Sequence, residues 1–206
     1  MEIKICGIRS KEAAQVAVKH GATMIGFVFA PSTRRISVAH AKEIIATLPE
    51  DIEKVGVFVN ESVENIHCIV KEAGLTVVQL HGEESSAYIQ QLSCPVIKSF
   101  PIHLLHKMHC DRDKVDYVLI DSPPTQFKGG SGIPFDWGIL ERKQPAFRPY
   151  LIAGGLTPEN VYKAMTRTKC NGVDVSSGVE TEGEKDPTKI VAFIKEAKRA
   201  EGEMNK

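Results

Sequence analysis

A thiol and a carboxyl group form a pair that could move protons: Cys6 in Lys4-Ile5-Cys6-Gly7-Ile8 and Asp121 in Leu119-Ile120-Asp121. A thiolate can take a carbon-bound proton, and a carboxylic acid can give one to an oxygen leaving group. For that division of labour the Cys6 pKa has to fall from its usual value of about 8.5, through cationic neighbours or backbone dipoles. Lys4, two residues back on the same strand face, is a cation placed to help. Asp121 needs the opposite shift, upward through desolvation, to hold a proton near neutral pH. Each residue also has a plainer reading: Cys6 as a packed strand-end cysteine, and Asp121 as a helix cap or loop-stabilising carboxylate.

Other polar groups recur where apolar runs end. In Ser32-Thr33-Arg34-Arg35-Ile36-Ser37, either Arg34 or Arg35 offers a guanidinium able to hold a substrate carboxylate by two parallel bonds. His81, in Gln79-Leu80-His81-Gly82, could bond a ligand or satisfy the backbone of its own turn. Ala153-Gly154-Gly155-Leu156 and Asp174-Val175-Ser176-Ser177-Gly178 expose backbone N–H groups with no bulky side chain in the way. Gly154, Gly155, Ser177 and Gly178 are therefore read as a phosphate cradle, the alternative being glycines that only make tight turns. Asp174 joins His81 as a substrate-binding candidate. The histidines of His103-Leu104-Leu105-His106-Lys107-Met108-His109-Cys110 recur every three residues, which drifts round a helix, and no carboxylate completes a cage. That run reads as a solvated face, and no metal site is expected.

The elements that must position these groups alternate in type. Apolar runs of strand length are Ile3 to Ile8, Met24 to Phe29, Lys54 to Val59, Thr76 to Leu80, Pro95 to Ser99, Val115 to Ile120, Tyr150 to Ala153 and Gly172 to Val175. Between them lie amphipathic stretches: Ser10 to His20, Val38 to Leu48, Val63 to Ala73, Glu84 to Leu92, Ile102 to Cys110, Trp137 to Glu141, Pro158 to Thr168 and Pro187 to Ala200. Ser10 stands where an N-cap belongs, Asn60 and Ser62 both precede the third helix, Gly21 and Gly74 stand where helices stop, and Thr157-Pro158-Glu159 resembles a cap followed by a first turn. Eight strand–helix units suit an open doubly wound sheet or a closed (β/α)8 TIM barrel. The barrel is the expected α/β fold, spanning 1–206 as one domain, because no linker, charge block or repeat divides the chain. In a barrel every strand's carboxyl end faces one rim, so Cys6, Arg34, His81, Asp121, Gly154 and Asp174 would converge there.

Composition narrows the class. Lysine plus arginine and aspartate plus glutamate balance at 26 each, so no net field argues for nucleic acid or an anionic membrane surface. No apolar run approaches the ~20 residues that cross a bilayer, and the amino terminus lacks a signal-peptide pattern. The five cysteines show no metal-type spacing, which suits free thiols in a reducing cytoplasm. Residues 201–206 are expected to fray.

Taken in order, the strand-end motifs resemble those of the phosphoribosylanthranilate isomerase family. The resemblance spans nearly the whole chain: Lys4-Ile5-Cys6-Gly7-Ile8, Gly26-Phe27-Val28-Phe29, the Ser32–Ser37 stretch, Gly56-Val57-Phe58-Val59-Asn60 and Gln79-Leu80-His81-Gly82-Glu83. It continues through Asp121 with Gly129-Gly130-Ser131-Gly132 and Phe135-Asp136-Trp137, then Ala153-Gly154-Gly155-Leu156 and Asp174-Val175-Ser176-Ser177-Gly178-Val179-Glu180. It implies a cofactor-independent Amadori rearrangement of a phosphosugar in tryptophan biosynthesis. In its terms Cys6 is the general base, Asp121 the general acid and Arg34, rather than Arg35, the partner of the anthranilate carboxylate. The protein would be a cytoplasmic monomer or homodimer with a small-molecule substrate. Another phosphosugar enzyme on the same barrel, or a non-catalytic phosphate-binding barrel, is the alternative. Binding alone would have no need of both Cys6 and Asp121.

Overall fold

Alternation along each apolar run sorts its side chains to two sides, and the computed structural model, which describes residues 1–104, 115–122, 136–142 and 149–205, shows where those sides lie. Eight parallel strands close into a barrel in chain order: β1 (Glu2–Cys6), β2 (Met24–Val28), β3 (Glu53–Phe58), β4 (Val77–Leu80), β5 (Val96–Pro101), β6 (Tyr117–Asp121), β7 (Tyr150–Ile152) and β8 (Gly172–Val175). The seam closes with Lys4 opposite Asp174 and Ile5 opposite Val175. Met24, Val55, Val77, Ile97, Leu119, Leu151 and Ala153 pack together inside the ring. Ile3, Ile5, Ile25, Phe27 and Val173 point outward and pack with the helices. Burying each such side chain fully is worth about 1.5–3 kcal/mol against leaving it in water. The expected barrel is what forms.

The helices are α1 (Lys11–His20), α2 (Val38–Ile45), α3 (Val63–Ala73), α4 (Ser86–Ile89), α5 (Gly138–Arg142), α6 (Val161–Thr168) and α7 (Pro187–Met204). Their ends follow the local chemistry. Ser10 and Ser62 accept from Ala13 N and Asn65 N, and α1 and α3 stop at Gly21 and Gly74, both left-handed. A two-strand hairpin, β9 (Glu180–Thr181) and β10 (Glu184–Lys185), follows β8.

Several helical expectations change, α2 among them, which stops at Ile45 instead of Leu48 as Thr47 Oγ1 donates to Ile44 O. The stretch from Glu84 to Leu92 shrinks to α4, because the Glu84 carboxylate holds Asn60 N, Gly82 N and Lys98 Nζ instead of opening a helix. The helix expected at Pro158 begins at Val161, because the Asn160 side chain accepts from Thr157 N and donates to Gly155 O, tying the turn to the β7 loop. At the carboxyl end α7 runs to Met204 rather than fraying at 201, with Glu201 taking the amino-terminal ammonium at 3.2 Å. Residues 102–104 of the expected fifth helix form a 3-10 turn. Its remainder, through His106, His109 and Cys110, lies outside the described residues, as do Gly129-Gly130-Ser131-Gly132 and Phe135.

Candidate active site

One pocket at the carboxyl ends of the strands is lined by Cys6, Arg34, His81, Asp121, Gly154, Gly155, Asp174 and Ser177, so eight of the nine residues singled out above share it. Gly178 stands behind the others.

Cys6 is the last residue of β1, and Gly7, at φ +76°, turns the chain away beyond it. Two positions below, Lys4 is wholly buried and its ammonium donates to Asp174 Oδ1 at 2.9 Å. Burial pulls the Lys4 pKa down, yet attraction to Asp174 and to the Cys6 thiol outweighs it, and the net shift is upward. The thiol itself moves against expectation. Burial pushes Cys6 up, Asp174 adds to that, and the pull of Lys4 and Lys185 does not overcome them. A cation near a thiol depresses its pKa only where its attraction exceeds the cost of desolvating the thiolate, and here burial is stronger.

Asp121 ends β6 with its carboxylate turned into the pocket. Its Oδ1 accepts from Ser122 N at 2.7 Å and Ser122 Oγ at 3.3 Å, so the loop-stabilising reading holds for that oxygen. Its Oδ2 faces His81 Nε2 at 3.5 Å. Burial pushes Asp121 up and His81 down, so desolvation favours the neutral form of each. Gly154 belongs to this arrangement as much as to any anion cradle. It is left-handed at φ +79°, and a Cβ there would stand 2.6 Å from Ser122 N and 2.7 Å from Asp121 Oδ1.

The two adjacent arginines part company. Arg34 lies in the pocket, its Cδ against Gly7, whereas Arg35 lines a separate hollow between the amino ends of α2 and α3. Arg34 is gripped by Glu180 through Nε at 2.7 Å and Nη2 at 2.8 Å. Behind the pocket, a Cβ on Gly178 would overlap the Leu156 carbonyl oxygen, so glycine there lets the β8 and β7 loops meet. The short 3-10 turn Ser177–Val179 follows directly.

Lys185, Ser176 and Gln79 were not singled out from sequence. Lys185 Nζ donates to Ser176 O at 2.9 Å and Glu180 Oε1 at 2.6 Å, and Ser176 Oγ donates to the Cys6 carbonyl at 3.1 Å. Gln79 is buried and donates to Ser99 Oγ at 3.4 Å. The inward position of Gln79 on β4 and the place of Ser176 just past the end of β8 are the signals a sequence carries for them; nothing local marks Lys185.

Residues 3–196 match the family described as N-(5'-phosphoribosyl)anthranilate (PRA) isomerase. The chain belongs to that family. The isomerase of Oceanobacillus iheyensis is 48% identical over 200 residues, covering 97% of this chain and 98% of its own. That of Listeria welshimeri is 44% identical over 202 residues, covering 98% of this chain and all of its own (100%). Among solved structures, phosphoribosyl anthranilate isomerase from Thermotoga maritima superposes with a TM-score of 0.89 at 37% identity, covering 97% of this chain and 99% of that one. A phosphoribosyl anthranilate isomerase in complex with reduced 1-(o-carboxyphenylamino)-1-deoxyribulose 5-phosphate superposes at 0.86, also at 37% identity, with 97% and 99% coverage.

Proposed function

We propose that this chain, acting as a single barrel domain of residues 1–206 in the cytoplasm, converts N-(5'-phosphoribosyl)anthranilate to 1-(2-carboxyphenylamino)-1-deoxy-D-ribulose 5-phosphate in tryptophan biosynthesis. The observation that carries the reading is the presence, in one pocket of a family member, of a buried carboxyl group with raised proton affinity and a thiol beside a buried ammonium. Asp121 gives its proton to the furanose ring oxygen. The C1′–O bond breaks, and the nitrogen lone pair forms a Schiff base. The positive nitrogen acidifies C2′–H, and Cys6 takes that proton through its thiolate, the form that burial leaves in the minority at neutral pH and that Lys4 sustains. The electron pair left behind becomes the C1′–C2′ double bond of an enolamine, which tautomerises to the ketone. Lys4 offsets the negative charge of the thiolate.

The rest of the pocket serves binding. Backbone N–H groups around Gly154, Gly155, Ser177 and Gly178 hold the terminal phosphate, Arg34 holds the anthranilate carboxylate, and His81 and Asp174 meet the sugar. With both ends fixed, the acid and the base address neighbouring atoms of one short rearrangement.

The test is turnover of freshly generated phosphoribosylanthranilate, followed by loss of anthranilate-type fluorescence, in the parent and in Cys6→Ala. The parent should turn over and Cys6→Ala should fall by at least about a hundredfold, the usual reach of a general base. Equal rates would remove Cys6 from the mechanism. No turnover in a folded parent that still binds a sugar phosphate would point to another barrel substrate or a binding role.

A further inference from the structure

Arg34 reaches the pocket with half of its guanidinium already engaged. The side-on edge, Nε and Nη2, is bonded to the two oxygens of Glu180 at 2.7 and 2.8 Å. A planar guanidinium has a second, end-on edge built from Nη1 and the outer Nη2 hydrogen, and among the described residues no hydrogen bond occupies that edge. Glu180 is fixed in turn. Lys185 Nζ donates to its Oε1 at 2.6 Å, and Lys189 Nζ to its main-chain oxygen at 2.7 Å. The hairpin that carries it is tied back by Arg9, whose Nη2 meets Glu184 Oε1 at 2.5 Å. The Arg9–Glu184 tie is at the surface, but little of the Arg34–Glu180–Lys185 group is in solvent: side-chain exposure is 21% for Arg34, 8% for Glu180 and 5% for Lys185.

We infer that Glu180 is a positioning residue for ligand recognition, holding Arg34 so that its end-on edge is presented to the carboxylate of an aryl-carboxylate sugar phosphate. The inference rests on the reading of Arg34 given above and adds what aims it. Three features support it. The Arg34 side chain is long and costly to immobilise, and a partner that fixes it in the empty site removes that cost from binding. Glu180 leaves one net positive charge on the Arg34–Glu180–Lys185 group, which suits one carboxylate. Without the Glu180 charge, Arg34 and Lys185 would be neighbouring like charges with nothing between them, and the arginine would be pushed from its place.

The experiment measures binding to the full-length protein of two probes. One is reduced 1-(o-carboxyphenylamino)-1-deoxyribulose 5-phosphate; the other is the same molecule lacking the aryl carboxylate. Glu180→Gln should weaken the first about tenfold or more while moving the second less than about twofold, because only the carboxylate contact depends on the aim of Arg34. Glu180→Asp keeps the charge but cannot span both Nε and Nη2, and should fall between parent and Glu180→Gln. It decides the matter by the same criterion if Glu180→Gln does not fold. Equal weakening of both probes, or of neither, would overturn the inference by reducing Glu180 to a structural part. Arg34→Met separates the two levels. If it fails to discriminate between the probes, the reading of Arg34 falls and the inference with it. If it discriminates and the Glu180 variants do not, the inference alone falls.

Discussion

Lys4 Nζ donates to Asp174 Oδ1 at 2.9 Å across the seam that closes the barrel, and the lysine side chain has no exposure to solvent. The two residues are direct register partners on β1 and β8, one layer below Cys6. The same ammonium is attracted to the Cys6 thiol. A strut of the barrel wall and a countercharge for the thiolate are therefore one side chain, and stability and thiol chemistry are coupled through it.

Lys4→Met should expose both roles. It leaves Asp174 buried without its partner, and removing one member of a buried pair costs roughly 3–5 kcal/mol. Because the Lys4 pKa is raised on folding, its contribution is complete below the ordinary value of 10.5 and is lost as pH rises through the folded value. Urea midpoints of parent and variant should thus differ most at neutral pH and converge in strong alkali. Losing the lysine also removes the largest influence lowering Cys6, so the pH dependence of Cys6 alkylation should move to higher pH. An unmoved alkylation profile would separate Lys4 from the thiol.

Asp121→Asn should trade activity for stability. An amide cannot supply the proton, so turnover should fall by about 10²–10⁴-fold. Burial raises the Asp121 pKa above its ordinary 3.8, which means folding favours the protonated form. The ionised carboxylate therefore costs stability above the folded pKa and costs nothing below the unfolded one. The variant should be more stable than the parent at pH 7, by about 0.5–2 kcal/mol, and the difference should vanish in acid. Thermal unfolding at both pH values checks this. A less stable variant at pH 7 would mean that the carboxylate is held there for structure.

The barrel was legible because its signals are local. Ser10 with Gly21, and Ser62 with Gly74, bracket helices that the structure reproduces to the residue at their carboxyl ends. Cys6 and Asp121 could be picked out because strand ends in this fold share one rim. What was not legible depends on distance and depth. The Arg34–Glu180 grip joins residues 146 apart, and no spacing rule predicts it. The Cys6 shift runs opposite to what a general base requires, because sequence displays the charge on Lys4 but not the burial that outweighs it. Glu84 has the makings of a first helical turn, yet Lys98, on β5, claims its carboxylate.

Lys98 Nζ donates to Glu84 Oε2 at 2.8 Å and to Gly82 O at 2.7 Å, and Glu84 Oε1 accepts from Asn60 N at 2.8 Å. The clasp fixes the turn directly after His81. Burial pushes Glu84 up, but Lys98 and the Asn60 N–H outweigh it, so its pKa ends below the ordinary 4.5. A lowered carboxylate pKa contributes stability above its unfolded value and loses it as pH falls through the folded one. Glu84→Gln should cost roughly 3–5 kcal/mol at neutral pH. The gap to the parent should close on acidification below pH 4.5, measured by denaturant unfolding across the acid range.

Gly26→Ala tests how closely β2 is fitted to the thiol on the neighbouring strand. Gly26 pairs with Cys6 on β1, and its carbonyl accepts from both Gly7 N and Ile8 N, so the backbone here cannot drift. A Cβ would stand 2.9 Å from Cys6 Sγ, 3.0 Å from Lys4 Nζ and 3.1 Å from Cys6 Cα. The sulfur and the ammonium can rotate aside, but the Cα cannot, so the methyl must displace the reacting sulfur and the ammonium that offsets its charge. Overpacking of this kind costs about 1–3 kcal/mol of stability. A displacement near 1 Å at a reacting group can cost on the order of a hundredfold in rate. The phosphate cradle proposed on the β7 and β8 loops is not touched by this methyl, so inorganic phosphate should bind as in the parent while turnover drops at least about tenfold. Turnover at the parental rate would show that the thiol does not depend on this contact. Loss of turnover and phosphate binding together would show that the whole rim had moved.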